Sequence, residues 1–574
     1  MNSTATLLDH VEFADIDRHF AKFIDGFGTG ELSAIGAAML SRNIRHGHIC
    51  LDLVKGPAHF DEPLTAFKWP KRETWEKAFA KNRAVGGPFD GRPLVLDNAG
   101  RLYLRRYWEY EKALAQGILT RCDSKRPTKG QTGDLQELAI QTALARRFMV
   151  ISGGPGTGKT TTVLKILERM VSQPGGENLR IALAAPTGKA AARLQETLLA
   201  GAGGNNGVGQ DRLPKSASTL HRLLGSRHHS VYFRHDAKNP LPVDLVIVDE
   251  ASMVSLTMMA KLFAALPDRA QVILLGDRDQ LSSVEPGAVL GDIARAASEP
   301  GPLHGSLVVL TKNYRFGNES SIFALCNAVR DGQADRALQI LNSGERPDIL
   351  AGETPTPSQV TEQLRPRVIA GYSPYLRAPD PAEALKEFKK FRVLSALRGG
   401  PYGVEILNRT IEKILREERL VNGAQNTYPG MPILITQNDY QLRLYNGDIG
   451  ILFPDPADAS LLAWFIGEDG GLRRVPPARL PEYERAFATT VHKSQGSEFD
   501  YVLLVLPDQQ SPVLTRELVY TGLTRARSRV EVWFREPVLR AAIARKILRG
   551  SGLGDRLSGA SCRKDPNQFM LNLE

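Results

Sequence analysis

Short apolar runs recur from residue 148 onward, each stopped by glycine or by charged residues. Phe148-Met-Val-Ile151 is the first, and Arg180-Ile-Ala-Leu-Ala-Ala185, Leu241-Pro-Val-Asp-Leu-Val-Ile-Val248 and Gln271-Val-Ile-Leu-Leu275 follow the same plan. Between them the apolar positions take helical spacing: Val163, Leu164, Leu167, Met170 and Val171 after the first run, then Ala190 to Leu199 after the second. A helix over Gln136–Leu144 precedes the series. Buried strands alternating with helices, each strand tipped by polar residues, predict an α/β unit with a doubly wound parallel sheet and its site at the strand C-termini.

The pattern returns further on. Phe391 to Leu397, a helix over 404–420 with Val404, Leu407, Ile411 and Ile414 on one face, Tyr501 to Leu506, a helix over Leu514–Arg527 and Val530 to Phe534 predict a second α/β unit. Met431 to Thr436, Asp448 to Phe453 and Leu461 to Ile466 are short β runs inside it. Turns such as Asn446-Gly447 and Asp469-Gly470-Gly471 separate them, which predicts a small inserted β-barrel.

Ahead of both lies a separate α+β unit. Helices are expected over Leu32–Leu40, Trp75–Phe79 and Leu104–Leu119, a strand over Gly47–Leu53, and a hairpin over Pro93–Leu104 turning at Asn98-Ala99-Gly100. His46 and His48 are expected to pack or sit in loops rather than to bind a ligand. Arg121–Asp134 reads as a linker and Gly201–Ser216 as a surface loop. The resulting division is 1–128, 129–335, 336–429 with 480–574, and the insertion 430–479. Residues 336–388 carry helical patches between prolines and glycines and receive no role.

Composition narrows the class. At 574 residues the chain needs several cores. Lys and Arg exceed Asp and Glu by 73 to 63, a net +10 that suits a polyanionic partner. Cys50, Cys122, Cys326 and Cys562 lie far apart, with no paired spacing for zinc or an iron–sulfur cluster, so buried free thiols in a reducing cytoplasm are expected. Neither a secretory leader nor an apolar run of membrane-spanning length is visible.

The chemistry centres on Gly153-Gly154-Pro155-Gly156-Thr157-Gly158-Lys159-Thr160, between a predicted strand and a predicted helix. Backbone N–H groups freed by the glycines and the positive helix start make an anion cradle. Lys159 can reach the β- and γ-phosphates, and the Thr160 hydroxyl can ligate Mg²⁺. Asp249-Glu250, at the end of a later strand, adds a carboxylate for the metal and a neighbour to orient or deprotonate water. This predicts a nucleoside triphosphatase using ATP and Mg²⁺.

Six segments in order resemble the motifs of superfamily 1 helicases: Gly153–Thr160, Asp249-Glu250-Ala251-Ser252, Gly276-Asp277-Arg278-Asp279-Gln280, Asn313-Tyr314-Arg315-Phe316, Val491-His-Lys-Ser-Gln-Gly496 and Tyr520-Thr-Gly-Leu-Thr-Arg-Ala-Arg527. With Leu394-Ser-Ala-Leu-Arg398, Asn446-Gly-Asp-Ile-Gly450 and the N-terminal Gly47–Leu53 stretch, the chain is similar to the RecD family, the alpha subunits of bacterial exodeoxyribonuclease V complexes. The resemblance implies two RecA-like domains, translocation 5′ to 3′ on DNA, and an N-terminal unit that docks into a complex with RecB-like and RecC-like chains. It places Gln136 and Tyr314 on the adenine, Gly153, Gly154, Pro155, Gly156, Thr157, Gly158, Lys159, Thr160 and Thr161 around the phosphates, and Asp249 with Thr160 on the metal. Glu250 would serve the water, Gln280 the γ-phosphate, Arg315 and Arg525 the transition-state charge, and Glu498 the nucleotide as a weaker candidate. Single-stranded DNA would meet Pro186, Thr187, Thr219, His221, Thr490, His492 and Lys493, whose side chains suit sugar–phosphate contacts.

Two other readings stay open in the sequence. A stand-alone helicase, on DNA or RNA, would carry the same motor residues, because discrimination of the 2′-hydroxyl depends on detailed contacts. A non-catalytic clamp would bind nucleotide without cycling, but Lys159, Glu250, Gln280, Arg315 and Arg525 are all present, which argues against it. No acidic cluster of nuclease type is seen, so any nuclease would belong to a partner chain.

Overall fold

The computed structural model describes residues 7–559 except 11, 29, 57–66, 123–132, 203–213, 215, 228–229, 316–319, 345, 423–425, 440 and 468–469. Most of the expected linker and surface loop, together with Phe316, Asp469 and Cys562, therefore lies outside the described residues.

The first α/β unit is a six-stranded sheet in the order Leu307–Leu310, Phe148–Gly153, Gln271–Gly276, Leu245–Val248, Ile181–Ala185, Ser218–Thr219. Every neighbouring pair is parallel. Successive residues of a strand point to opposite faces, and both faces are covered here. Phe148 and Val150 join one apolar cluster with Val246, Val248, Val272 and Leu274. Met149 and Ile151 join the other with Leu245, Ile247, Ile273 and Leu275. A strand buried on both sides has no polar alternation, which is why these runs are apolar throughout. The third strand starts at Leu245, not at Leu241 as expected. Pro242 has no N–H for the ladder, and the Asp244 carboxylate is held by Arg180 at 2.9 Å.

The second unit is a five-stranded sheet, Ile349–Glu353, Ala526–Phe534, Phe499–Val505, Phe391–Ser395, Ala488–Thr490, again parallel at every pair. Residues 336–388 are part of it. They supply the edge strand Ile349–Glu353 and the helices Val360–Leu376 and Pro381–Phe388, whose Leu364, Val368, Tyr372, Leu385 and Phe388 pack in its core.

The β runs expected over 430–479 form an antiparallel sheet in the order Leu472–Val475, Leu461–Ile466, Ile449–Pro454, Pro432–Ile435, Tyr483–Arg485. Its last strand lies wholly beyond residue 479, outside the expected bounds, and among the described residues no pairing joins the two outer strands. Tyr445, in the turn ahead of Ile449, approaches the first unit: its ring lies 3.3 Å from where a Cβ on Gly188 would stand.

The N-terminal unit has helices at Asp15–Asp25, Glu31–Arg45, Arg72–Ala80 and Arg105–Leu119 around a four-stranded sheet. The expected hairpin pairs Leu94–Leu96 with Arg101–Leu104, and the Asp97 carboxylate closes its turn by accepting from the Ala99 and Arg101 N–H groups, both at 2.9 Å. After the helix Glu536–Ala544 the chain leaves the second unit and returns to the first two. Gly550 N–H donates to His48 Nδ1 at 2.8 Å, and Glu111 Oε1 accepts from Ser551 Oγ at 2.7 Å and Gly552 N at 2.9 Å. Leu553 and Leu557 of the last helix complete the core that Trp108, Leu114 and Ile293 share. His48 is thus a packing residue, as its sequence setting suggests.

Candidate active site

The strand Phe148–Gly153 lies between two others, so its C-terminal end opens in the interior of the first sheet. The chain turns through Gly154–Gly158 into the helix Lys159–Val171. Gly156 and Gly158 have φ of +79° and +80°, where a side chain is strained. Neither has room for one: a Cβ on Gly156 would stand 2.5 Å from Arg315 Cβ, and one on Gly158 2.6 Å from Gln136 Nε2. The Lys159 ammonium lies back over the loop, donating to the carbonyls of Gly153 at 2.5 Å and Gly154 at 3.1 Å. Thr157 Oγ1 donates to Gly154 O at 2.8 Å and braces the same turn.

Gln136 and Tyr314 flank Gly158. Gln136 Oε1 accepts from Lys165 Nζ at 3.2 Å, and the Tyr314 ring, 55% exposed, passes 3.5 Å from the Gly158 Cβ position. The segment carrying that ring is fastened to the loop, since Tyr314 N donates to Gly156 O at 2.7 Å and Asn313 Nδ2 to Pro155 O at 2.9 Å. An amide beside an open aromatic face at the edge of a phosphate loop fits a purine base.

Asp249 and Glu250 follow the strand Leu245–Val248. Asp249 Oδ1 accepts from Glu250 N at 2.8 Å, and Glu250 is held at φ +51°, a left-handed conformation rare for its type. Burial and then the charge of Glu250 push the Asp249 carboxyl up, with Lys159 opposing them. Asp249 and Glu250 are the carboxylates at this strand end that could hold a divalent cation.

Both units contribute cations, Arg193 and Arg315 from the first and Arg525 and Arg527 from the second. Arg315 pairs with Glu498, which also takes Arg193 Nη2 at 2.5 Å and Arg527 Nε at 3.1 Å. Burial works against the Glu498 charge, but Arg193 and Arg315 outweigh it and hold the carboxyl down at about 2. Arg525 is 2% exposed and gives its guanidinium to Thr521 O, Ser497 O and Thr524 Oγ1 at 3.1 to 3.2 Å. Gln280 Nε2 donates to Asp277 Oδ2 at 3.1 Å. Gln136, Lys159, Tyr314 and Arg315 are thus gathered at the glycine loop, and Arg315 links that loop to Glu498 at the junction of the two parallel sheets. Glu498 stands there as the centre of an arginine cluster.

The predicted strand-contact residues lie at matching places in the two sheets. Thr219 ends the edge strand of the first and pairs with Ala185, the residue before Pro186 and Thr187. Thr490 ends the edge strand of the second, just ahead of His492 and Lys493. The two groups meet where Thr187 Oγ1 comes 4.0 Å from the Gly496 Cβ position and Lys189 Nζ donates to Ser497 Oγ at 2.6 Å. Several of these side chains also hold local structure. Thr187 Oγ1 accepts from Ala190 N at 3.2 Å, Thr219 Oγ1 from Arg222 N at 3.3 Å, and Lys493 Nζ pairs with Glu484 at 2.6 Å. Burial lowers the pKa of His221, and burial followed by Arg549 lowers that of His492.

Sequence reasoning gave no role to Arg193, Lys189, Asp277, Tyr445 or Tyr520, all of which stand at this junction. Burial and then the charges of Arg392 and Lys389 bring Lys189 down to about 7. Asp277 and Tyr520 sit inside recognised motifs, which was their signal. Arg193 gives none, because it occupies an ordinary helix position.

Three family models match the chain: an AAA domain over residues 136–286, a UvrD-like helicase C-terminal domain over 485–532, and the RecBCD enzyme subunit RecD N-terminal domain over 10–103. The RecBCD enzyme subunit RecD of Mycolicibacterium smegmatis is 40% identical over 545 residues, covering 92% of this chain and 94% of that one. The subunit of the same name in Haemophilus influenzae is 35% identical over 559 residues, with 84% of each chain covered. The ATP-dependent RecD2 DNA helicase of Deinococcus radiodurans is 32% identical over 451 residues, covering 75% of this chain but 54% of its own length.

Proposed function

The chain belongs to the RecD family, and from that premise we propose that it is the ATP-driven, 5′→3′ DNA helicase subunit of a RecBCD-type helicase–nuclease that processes double-strand ends for recombinational repair. The observation that carries the reading is the junction itself: a phosphate loop with its acidic pair on one parallel sheet, faced by Arg525 from the other. ATP would lie with its base between Gln136 and Tyr314 and its phosphates on the backbone from Gly153 to Thr161. Thr160 and Asp249 would hold Mg²⁺, which supplies charge neutralisation at the β- and γ-oxygens. Glu250 orients the attacking water and takes its proton as the bond from the γ-phosphorus to the bridging oxygen breaks. Gln280 reads the γ-phosphate, and Arg315 and Arg525 leave their present partners to meet the transition-state charge.

Closing and opening of the junction would move one group of strand contacts (Pro186, Thr187, Thr219, His221) relative to the other (Thr490, His492, Lys493). In this reading the parallel sheets are two RecA-like domains, over 129–335 and over 336–429 with 480–574. The antiparallel sheet that starts in 430–479 and ends at Arg485 is a small barrel inserted in the second, and residues 1–128 dock against RecB-like and RecC-like chains. No helix among the described residues is long and apolar enough to cross a membrane, and the site proposed for the assembly is the cytoplasm.

Lys159→Gln in the full chain is expected to abolish hydrolysis stimulated by single-stranded DNA, a loss of at least ~10³-fold. Full hydrolysis by that variant overturns the motor assignment. The stand-alone alternative is tested by purifying the tagged chain from its own cells. Co-elution of two large chains in equal amount supports the complex, and recovery of the chain alone removes the docking role. The match of residues 10–103 to the RecD N-terminal domain, and an identity of 40% to a RecD subunit against 32% to the RecD2 helicase, favour the complex.

A further inference from the structure

Tyr520 is 4% exposed on the helix Arg516–Leu523 of the second unit. Its hydroxyl donates to Asp277 Oδ2 at 3.0 Å, on the first unit, just past the strand Gln271–Gly276. The same carboxylate oxygen accepts from Gln280 Nε2 at 3.1 Å. The Tyr520 oxygen also stands 2.9 Å from the position a Cβ would take on Gly154, so it reaches the phosphate loop. One residue along, Thr521 Oγ1 accepts from Leu281 N at 3.0 Å, while the Thr521 carbonyl accepts from Arg525 Nε at 3.1 Å. Gln495 Nε2 adds a bond to Leu281 O at 2.9 Å. Asp277 and Thr521 are nearly inaccessible, at 2% and 0% exposure.

These bonds form an unbroken path. Gln280 and Leu281 are fixed by Asp277 and Thr521, and Thr521 in turn fixes Arg525. A buried carboxylate oxygen that loses a donor is costly, so Gln280 cannot leave Asp277 for a phosphate unless another donor stays behind. Tyr520 is that donor, and it comes from the opposite unit.

We propose that Tyr520 is a positioning residue that links the γ-phosphate sensor Gln280 to Arg525, by holding Asp277 across the junction while Gln280 is released. The inference rests on the helicase reading above. It concerns the rate of turnover, because the bond set changes only when Gln280 moves, and not the affinity for the base and phosphates, which other residues supply.

The test is strand-stimulated ATP hydrolysis by the full chain. Tyr520→Phe removes one oxygen and keeps the ring in place. Its kcat is expected to fall about ten-fold while the KM for ATP stays within about two-fold, a pattern that lost packing would not give. Gln280→Ala combined with Tyr520→Phe is expected to be no slower than Gln280→Ala alone, since both act on one step. Thr521→Val should lower kcat, and Thr521→Ser, which retains the hydroxyl, should restore it. An unchanged kcat in Tyr520→Phe, a KM that moves in step with kcat, or additive losses in the double variant each overturn the proposal and leave the helicase reading standing. Absence of strand-stimulated hydrolysis in the unaltered chain overturns both.

Discussion

Gly156 shows how closely one position can be specified. Its φ of +79° and the 2.5 Å separation between its Cβ position and Arg315 Cβ exclude any side chain without a shift of backbone. Gly156→Ala is expected to displace Arg315 together with the loop. Binding of an ATP analogue, followed by calorimetric titration, should weaken by at least ~10-fold, in keeping with ~1–2 kcal/mol for a left-handed side chain plus the clash. At this scale the sequence was informative wherever a residue's task is local. Lys159, Thr160, Asp249 and Glu250 sit in one loop or at one strand end, so the roles proposed for them need only local spacing to be suggested. Glu498 was legible only as a weak nucleotide contact, because its partners Arg193, Arg315 and Arg527 come from three distant parts of the chain.

Elements inherit that limit. Runs buried on both faces, such as Phe148–Ile151, were found, and so were the short turn-separated strands from Pro432 to Ile466. Leu307–Leu310 was not: it is a four-residue edge strand, and Leu307 and Val309 are half-buried. The helix Val360–Leu376 was hidden by Pro366 and Pro374, residues that ordinarily end a helix. Glu498 joins elements in the same way, tying the helix Gly188–Ala202 to the strand Ala526–Phe534. Glu498→Gln leaves Arg315 without its carboxylate, and urea unfolding of the full chain should show a loss of about 3 kcal/mol at pH 7. The sign with pH follows from the depressed carboxyl. Held at about 2 when folded against an ordinary 4.5, it stabilises fully above 4.5 and loses its contribution as pH falls toward 2. The gap between the two proteins should therefore be smaller at pH 4 than at pH 7. A gap that does not change would show that the cluster carries no net stabilisation.

The whole molecule is bound together by its last described residues. Residues 546–552 leave the second unit and lie against His48, Glu111 and the backbone of Gly287, where Arg549 Nη1 donates at 2.8 Å. A Cβ on Gly552 would meet the Tyr103 hydroxyl at 2.3 Å and Arg101 Cζ at 2.9 Å. Gly552→Ala should lift this segment and cost ~1–3 kcal/mol in urea unfolding, with faster cleavage near residue 550 under limited proteolysis. An unaltered cleavage pattern would mean that the segment is held elsewhere. Nothing in the periodicity of 545–558 foretold this return, since its partners Arg101 and Glu111 lie more than 400 positions earlier.

That return sets an order of events on the ribosome. Trp108, Leu114 and Ile118 emerge early, yet the core that shelters them is finished by Leu553 and Leu557. At roughly 5–20 residues per second the early segment waits about 20 to 90 seconds for its cover. A stop codon or frameshift after residue 545 would spare every motif of the engine and strip the opposite end of the protein. The expected outcome is a chain with an intact ATP site that aggregates through its N-terminal unit.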